Sequence, residues 1–383
     1  MRTSVIDASV LVAKLNVTSP WRAAFGAVPR HVFLPRKSWV PDEHGEMVPI
    51  DRDQDIERWL ELAYSDIYFV TQVDDGATVW PADGKASSSS SMPSVMLTML
   101  DALDVTDGTH VLEIGTGTGY NAAILSHRVG VDRVTTVEVD PGVAATAASN
   151  LAIAGHPVSV VCGDGAMGYP RGAPYDRVLV TCAVIGEVPY SWVEQTSPGG
   201  LVVAPWGTPY KRSALLRLRV SEDGTACGRF VKGVYLSFMS MRAQRMECLP
   251  DAPDREPDEI TTTALGPAEL RHTALVFDAS FAIGLRVPEC RTWYETDDGH
   301  GYWHTIGFAD AESGSFAILD ADPNEPDIVI KQWGPRRLWD EVEVAYQWWV
   351  SEGRPSHDRF GISVGPGGQL VWLDDPSRPV LMA

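Results

Sequence analysis

The sequence predicts an α/β protein, a doubly wound parallel sheet followed by an additional mixed α+β region, and three observations carry that expectation. Between Val111 and Pro205 short β-branched runs alternate with segments of helical periodicity, the rhythm of βαβ crossovers. The first of those runs, Val111-Leu-Glu-Ile114, leads straight into Gly115-Thr-Gly117-Thr-Gly119, and sheets of this kind bind their ligand at the turns beyond their strands' carboxyl ends. With 383 residues, 44% of them hydrophobic, the chain is long enough for two cores. The expected division is an N-terminal helical and substrate-loop region over residues 1–100, a ligand-binding core over 101–248 and an extension over 249–383.

In chain order, Ser19-Pro-Trp21 places a capping serine and a first-turn proline ahead of a short helix that runs towards Pro29. Residues 57–64 space their apolar side chains helically, whereas Asp74 to Ser91 collects Asp, Gly, Pro and five consecutive serines and predicts a polar loop. After Pro93, the residues Val95, Met96, Met99, Leu100 and Leu103 draw one helical stripe, which core packing explains. The crossover region gives strands at 111–114, 134–139, 158–161 and 177–180, with helices at 122–129 and 143–154. Pro198-Gly199-Gly200 turns into a strand ending near Gly207, and 214–220 and 230–238 alternate enough to continue the sheet. Leu249 to Pro257, rich in proline and acid, reads as a linker. Beyond it 315–319 and 327–330 predict strands, 337–353 an amphipathic helix closed by a glycine, and 360–364 with 369–373 a hairpin about Gly365-Pro-Gly-Gly368. Seven of the 13 tryptophans fall in this extension; interior packing accounts for most, and exposed ones would offer a peptide-binding surface.

Composition excludes several classes of function. A net charge of −20 argues against a nucleic-acid partner held through its phosphates. From Asp251 to Ala383 there are 24 acidic and 10 basic residues, so −14 of that charge sits in the extension, where a solvated acidic surface is the ordinary reading. The five cysteines, Cys162, Cys182, Cys227, Cys248 and Cys290, are odd in number and form no C-x-x-C, which indicates neither a disulfide framework nor a zinc site. His300 and His304, beside Asp297 and Asp298, are interrupted by a glycine and aromatics and read as surface residues, so no metal is expected. No run approaches the roughly 18 apolar residues of a membrane span and no signal-peptide pattern follows Met1, so the expectation is a cytoplasmic protein without membrane association. The one G-x-S-x-G, Gly361-Ile-Ser363-Val-Gly365, falls in that expected hairpin and not at a strand-to-helix turn, which argues against a hydrolase, and the sequence leaves the oligomeric state open.

The glycine turn points to a nucleotide-like cofactor. Glycines there let the backbone approach a ligand closely, and an acid about 20 residues on, at the end of the next strand, is placed to accept from a ribose diol. Glu138 in Val137-Glu138-Val139-Asp140 fills that position, unless it is a plain surface acid at a strand end. A dinucleotide pattern can be laid over Gly117-Thr-Gly119-Tyr-Asn-Ala122, so the glycines alone leave a nicotinamide cofactor open. Glu113 with Gly115, Gly117 and Gly119 resembles the first motif of the class I methyltransferases, Rossmann-like enzymes that bind S-adenosylmethionine. The resemblance implies that cofactor, with Glu113, Gly115, Gly117, Thr118 and Gly119 at its amino acid and ribose, Glu138 on the ribose, and Asp164 and Gly165 beside the adenine. Asp176 reads as a structural turn residue.

Over the first 240 residues a longer chain of motifs resembles the protein-L-isoaspartate O-methyltransferases. It comprises Val28-Pro-Arg30-His-Val32-Phe33-Leu34-Pro35, Ala63-Tyr64-Ser65-Asp66, Ser91-Met-Pro93, the cofactor turn, Gly163-Asp164-Gly165, Ala173-Pro174-Tyr175-Asp176 and Gly199-Gly200-Leu-Val-Val-Ala-Pro205-Trp-Gly207. The resemblance implies that Ser91 lies beside the reacting carboxylate and that Asp66 is the aspartate of the family's Tyr-x-Asp motif; a carboxylate there cannot attract an anionic substrate group, so its expected role is to hold substrate amides or the loop. Read as residues alone, Ser91 is also compatible with loop filler and Asp66 with a helix cap. Two departures matter. Residues 67–90 replace a short glycine-rich substrate loop, and the extension resembles that of divergent homologues serving graspetide, lanthipeptide and lasso-peptide pathways. Those homologues methylate an aspartate in a cyclised ribosomal precursor peptide, and the ester collapses to an aspartimide. The leading expectation is therefore a peptide aspartyl O-methyltransferase with such a precursor as its substrate. A general isoaspartyl repair enzyme and a non-catalytic peptide-binding scaffold are the alternatives, the intact cofactor motif speaking against the scaffold.

Overall fold

The run Val111–Ile114 is buried at every position, as a strand covered on both faces must be, and it becomes the centre of a parallel sheet. The computed structural model describes residues 8–15, 19–211, 214–246, 249, 252–296, 303–320 and 328–383. Two units emerge. The first is Met1–Cys182, Pro189–Ala204 and Arg217–Ala226; the second is Ala183–Val188, Pro205–Leu216 and Cys227–Ala383. The chain thus enters the second unit at Ala183 and returns twice, rather than parting once at Leu249.

The first unit opens with α1 (Ala8–Lys14), α2 (Ser19–Ala27), β1 (Lys37–Pro41), β2 (Met47–Asp51), α3 (Ile56–Ala63), β3 (Phe69–Val73), β4 (Ala86–Ser90) and α4 (Pro93–Leu103). The crossovers follow: β5 (Val111–Ile114), α5 (Tyr120–Val129), β6 (Val134–Glu138), α6 (Pro141–Ile153), β7 (Ser159–Cys162) and β8 (Tyr175–Val180). After the two-residue strand β9 (Val184–Ile185) of the second unit come α7 (Tyr190–Glu194), β10 (Thr196–Gly207), β11 (Ala214–Val220) and β12 (Ala226–Tyr235). The first unit's sheet runs β7-β6-β5-β8-β10-β11, with β5 parallel to both β6 and β8. The strand order reverses between β5 and β8, which puts the switch point at the glycine turn.

The expected polar loop over 74–91 is half wrong: its serine run is strand β4, antiparallel to β3, with Phe69 opposite Ser90, Val70 opposite Ser89 and Gln72 opposite Ser88. A run of identical small polar residues has no hydrophobic period to read, so the strand was invisible. Pairing satisfies it instead, Ser87 Oγ donating to Gln72 Oε1 at 2.8 Å and Thr71 Oγ1 to Ser88 Oγ at 3.2 Å. Strands β2-β1-β3-β4 form a sheet with its own core of Trp39, Val70 and Val73, against which Met47, Tyr68, Trp80 and Ala86 pack.

In the second unit follow β13 (Glu259–Thr262), α8 (Pro267–Ala274), α9 (Phe277–Arg286), β14 (Arg291–Thr296), β15 (Trp303–Asp310), β16 (Ser315–Asp320), β17 (Val329–Trp333), α10 (Leu338–Ser351), β18 (Phe360–Gly365) and β19 (Gly368–Leu373). An antiparallel sheet runs β13-β17-β16-β15-β14, and the expected hairpin β18-β19 lies beside β12. Helix α10 buries Leu338, Trp339, Val342, Ala345, Tyr346 and Trp349. Trp333, Trp339, Trp349 and Trp372 are all at most 5% exposed, the interior packing expected of the extension's tryptophans. Helix α9 was not legible because Ala279 to Gly284 are all buried, leaving no polar face to mark a period. Cys248, Asp297, Asp298 and His300 lie outside the described residues. Among the described residues no helix is long and apolar enough to cross a membrane.

Candidate cofactor and active site

Beyond Ile114 the chain turns through three glycines at positive φ, Gly115 at +95°, Gly117 at +54° and Gly119 at +88°. A Cβ at Gly115 would lie 2.7 Å from Thr181 Oγ1, at Gly117 3.1 Å from the Ser89 carbonyl oxygen, and at Gly119 3.1 Å from the Leu151 side chain. Glycine is therefore required for fit against the protein's own β4 and α6, as well as for a ligand's approach. Glu138, at the carboxyl end of β6 and 8% exposed, accepts from Gly117 N at 2.9 Å and Asp140 N at 3.1 Å, so its carboxylate is fixed at the mouth of the turn. Asp164 accepts from Ala166 N at 2.9 Å, and Gly165, where a Cβ would meet Ile114 Cγ2 at 2.5 Å, presses the next loop against β5. The Thr118 carbonyl is held by Asn150 Nδ2 at 3.1 Å.

Glu113 sits differently from the expectation. It has no exposed surface, and its carboxylate accepts from Asn121 Nδ2 at 2.6 Å and Thr136 Oγ1 at 2.7 Å. Burial pushes its pKa up to about 7 against the pull of those two donors. The side chain braces the turn from within and does not face a ligand.

Sequence reasoning quoted Arg30 only as part of a motif, and the structure gives it a larger part. It leaves the 3-10 turn Arg30–Val32 wholly buried. Nη1 donates to the carbonyls of Ala63 at 3.2 Å and Ser65 at 3.0 Å, and Nη2 to those of Ile67 at 2.8 Å and Ser91 at 3.1 Å. Burial lowers its pKa to about 10, with Tyr120, Asp66 and Tyr64 opposing the shift, so it stays charged at neutral pH. Asp66, between two of the clamped carbonyls, accepts from Ser94 N at 2.9 Å in the first turn of α4. One guanidinium and one carboxylate thus pin both ends of the β3–β4 segment and bring Asp66 and the half-buried Ser91 to one place. The available signal was one arginine, next to His31, among the apolar residues Val28, Pro29, Val32, Phe33 and Leu34.

A doubly wound sheet with a glycine turn at its switch point and a fixed acid at the end of the next strand defines the class I S-adenosylmethionine-dependent methyltransferase fold. Residues 44–242, more than half of the chain, match the family model described as Protein-L-isoaspartate(D-aspartate) O-methyltransferase (PCMT), and the chain belongs to that family. It is 42% identical over 137 residues to the protein-L-isoaspartate O-methyltransferase of Methanosarcina mazei, an alignment covering 35% of this chain and 54% of that protein. With the enzyme of the same name from Methanoculleus marisnigri it shares 35% identity over 203 residues, 53% of this chain and 74% of the relative. Against the Methanosarcina and Xanthobacter autotrophicus relatives the chain spans only 54% and 60% of their length. A solved structure titled protein-L-isoaspartate O-methyltransferase superimposes with a TM-score of 0.52 over 96% of this chain and 99% of its own. At 22% identity that likeness is one of fold, and it takes in the extension as well as the core.

The site fits S-adenosylmethionine by its hydrogen-bond acceptors. Glu138 at the end of β6 and Asp164 beyond β7 offer acceptors that suit a ribose diol and an adenine amino group.

Proposed function

We propose that the protein is an S-adenosylmethionine-dependent O-methyltransferase that esterifies an aspartate side chain in a cyclised ribosomal precursor peptide, the ester then closing to an aspartimide. The observation that supports this most is the β3–β4 hairpin. Where the family resemblance implies a short glycine-rich substrate loop, this chain carries two strands with a separate core, clamped at both ends by Arg30. Rebuilding the substrate loop while keeping its anchors is what a change of substrate requires.

When bound, S-adenosylmethionine supplies an electrophilic methyl group. Gly115, Gly117, Thr118 and Gly119 would hold its amino acid end, Glu138 its ribose, and Asp164 with Gly165 its adenine. A substrate carboxylate with a pKa near 4 is already ionised at neutral pH, so no general base is needed. Catalysis then rests on alignment and the exclusion of water. The Ser91 hydroxyl orients the carboxylate by donating to it without adding charge; Asp66, an anion, acts by holding the Ser91 segment through Ser94. In the ester, the next backbone nitrogen attacks the side-chain carbonyl, a C–N bond forms, methanol leaves with the amide proton, and the five-membered imide remains. That step needs no residue of its own.

The repair reading has one observation in its favour: a solved isoaspartyl methyltransferase matches nearly the whole chain, so the extension is not peculiar to peptide-pathway enzymes. Offering simple isoaspartyl peptides beside cyclised ones, with methyl transfer followed by mass spectrometry, separates the two. Turnover restricted to the cyclised peptide supports the proposal, and preferential turnover of simple isoaspartyl peptides overturns it.

A further inference from the structure

A cavity of about 430 Å³ opens beside the glycine turn, within the roughly 300–1,000 Å³ range of small-ligand sites. One wall belongs to the core: Phe33, Leu34 and Pro35, the turn residues Gly117 and Thr118, and Val143 and Thr146 on α6. The other is Thr71, Gln72 and Ser88 of the β3–β4 hairpin. This second wall is rigidly tied. Gln72 Nε2 donates to Asp140 Oδ2 at 3.1 Å, and Gln72 Oε1 receives the Ser87 hydroxyl. Asp140 itself caps α6 through Gly142 N and Val143 N. The hairpin is therefore pinned to the helix on the far side of the cavity, which holds the opening to a fixed width.

Among the described residues, no Asp, Glu, Lys, Arg or His lines it. In a chain of net charge −20 that neutrality has a chemical consequence. A charged group entering would shed part of its water and find no counter-ion among the lining residues, whereas an apolar or amide-bearing side chain meets Phe33, Leu34, Pro35 and Val143 beside the hydroxyls of Thr71, Ser88, Thr118 and Thr146. Ser88 lies three residues from Ser91 along the chain, about 10 Å at strand rise, or about three residues of an extended peptide.

We infer that this cavity is a specificity pocket for an uncharged substrate side chain about three residues from the reacting aspartate. The inference rests on the peptide-methyltransferase reading and names what that enzyme selects. Its specificity is set by the hairpin, because the hairpin supplies the wall that the family's short loop would not.

The test is calorimetric binding to the full chain loaded with S-adenosylhomocysteine. The probes are synthetic ring-bearing peptides with a central aspartate, identical except at the third position on either side, which is Gly, Leu, Phe, Asp or Lys. At one of the two positions the Leu and Phe peptides bind at least about tenfold more tightly than the Asp and Lys peptides, the cost of an unpaired charge. Val143→Trp, and Thr146→Trp as a second variant at an exposed helix position, remove the advantage of Phe over Gly and leave S-adenosylhomocysteine affinity within about twofold. Equal binding of charged and apolar peptides overturns the inference, as does failure of every peptide to bind. A parallel loss of S-adenosylhomocysteine affinity in both variants also overturns it, by assigning the cavity to the cofactor. Selective binding without methyl transfer refutes the enzyme reading and leaves the pocket standing.

Discussion

Replacing Arg30 by methionine removes the four donors that hold the Asp66 and Ser91 segments together. The Ala63 carbonyl is bonded in a fully buried setting and loses about 1–3 kcal/mol when orphaned. The carbonyls of Ser65, Ile67 and Ser91 are part-buried and can recover water, so each loses about 0.5–1.5 kcal/mol. Against this, methionine needs no desolvation and packs on Phe69 and Tyr120, whose ring centroids lie 5.5 and 5.9 Å from the guanidinium carbon. The net loss is on the order of 3–5 kcal/mol, or roughly 10 °C in Tm for a unit of this size. Lysine, with three donors on a flexible stem, recovers about half of it. Thermal and urea unfolding followed by circular dichroism measure the loss, and hydrogen exchange locates it. The amides of Ser91, Met92 and Ser94 exchange faster in Arg30→Lys, and those of β5 and β6 do not. A double-mutant cycle with Ser91→Ala then reads function: if Arg30 acts through Ser91, the two losses in kcat are not additive. An Arg30→Met protein within about 1 kcal/mol of wild type, with unchanged exchange at Ser91, Met92 and Ser94, would refute the clamp.

Four further outcomes are expected. Ser91→Ala lowers kcat at least about tenfold in a peptide methylation assay while calorimetry finds S-adenosylhomocysteine affinity unchanged, since the residue lies off the cofactor turn. Asp66→Asn keeps the acceptor for Ser94 N and stays close to wild type, whereas Asp66→Ala loses about 1 kcal/mol of cap stability and turnover with it; equal defects in both would show that the charge matters. With Glu138 proposed on the ribose, Glu138→Gln is expected to weaken S-adenosylhomocysteine binding by about tenfold or more in the same titration, since a charge-assisted bond there would be worth about 1.5–3 kcal/mol. Glu113 keeps its proton up to about 7 in the fold but releases it near 4.5 when unfolded, so the folded state binds more protons in that window. Stability therefore falls as pH rises between those values, by on the order of 3 kcal/mol, and stays level above. Glu113→Gln removes that slope, because the Thr136 hydroxyl can turn from the introduced amide to Thr116 Oγ1, 2.7 Å away; a slope that persists in urea titrations at several pH values assigns it elsewhere.

The crossover region was readable because each strand is an apolar run and each turn has its own glycine or proline. The glycine turn was legible from spacing, and Glu138 stands at the end of β6 as that spacing predicts, whereas the assignment of these residues to a cofactor came from the family resemblance. What could not be read depended on partners distant in sequence. The serines of β4 acquire an alternating burial only by pairing with β3, and Arg30 acquires its meaning only when the carbonyls of Ala63, Ser65, Ile67 and Ser91 converge on it. Glu113 was assigned to the ligand because its motif is a ligand motif, yet a strand covered on both faces leaves its side chain no route to the cleft. Helices α8 and α9 escaped for a related reason, burial around most of α9 erasing its period.

Mass spectrometry with S-adenosylmethionine tests whether this site methylates a peptide aspartate held by Ser91. The purified protein is offered a ring-bearing peptide with an internal aspartate, the linear form of that peptide and a simple isoaspartyl peptide, each also with Ser91→Ala. The account predicts a transient gain of one methylene on the ring-bearing peptide, decaying to a net loss of one water, and neither mass in the variant. Methylation of the simple isoaspartyl peptide alone, or of none of the three, would contradict it.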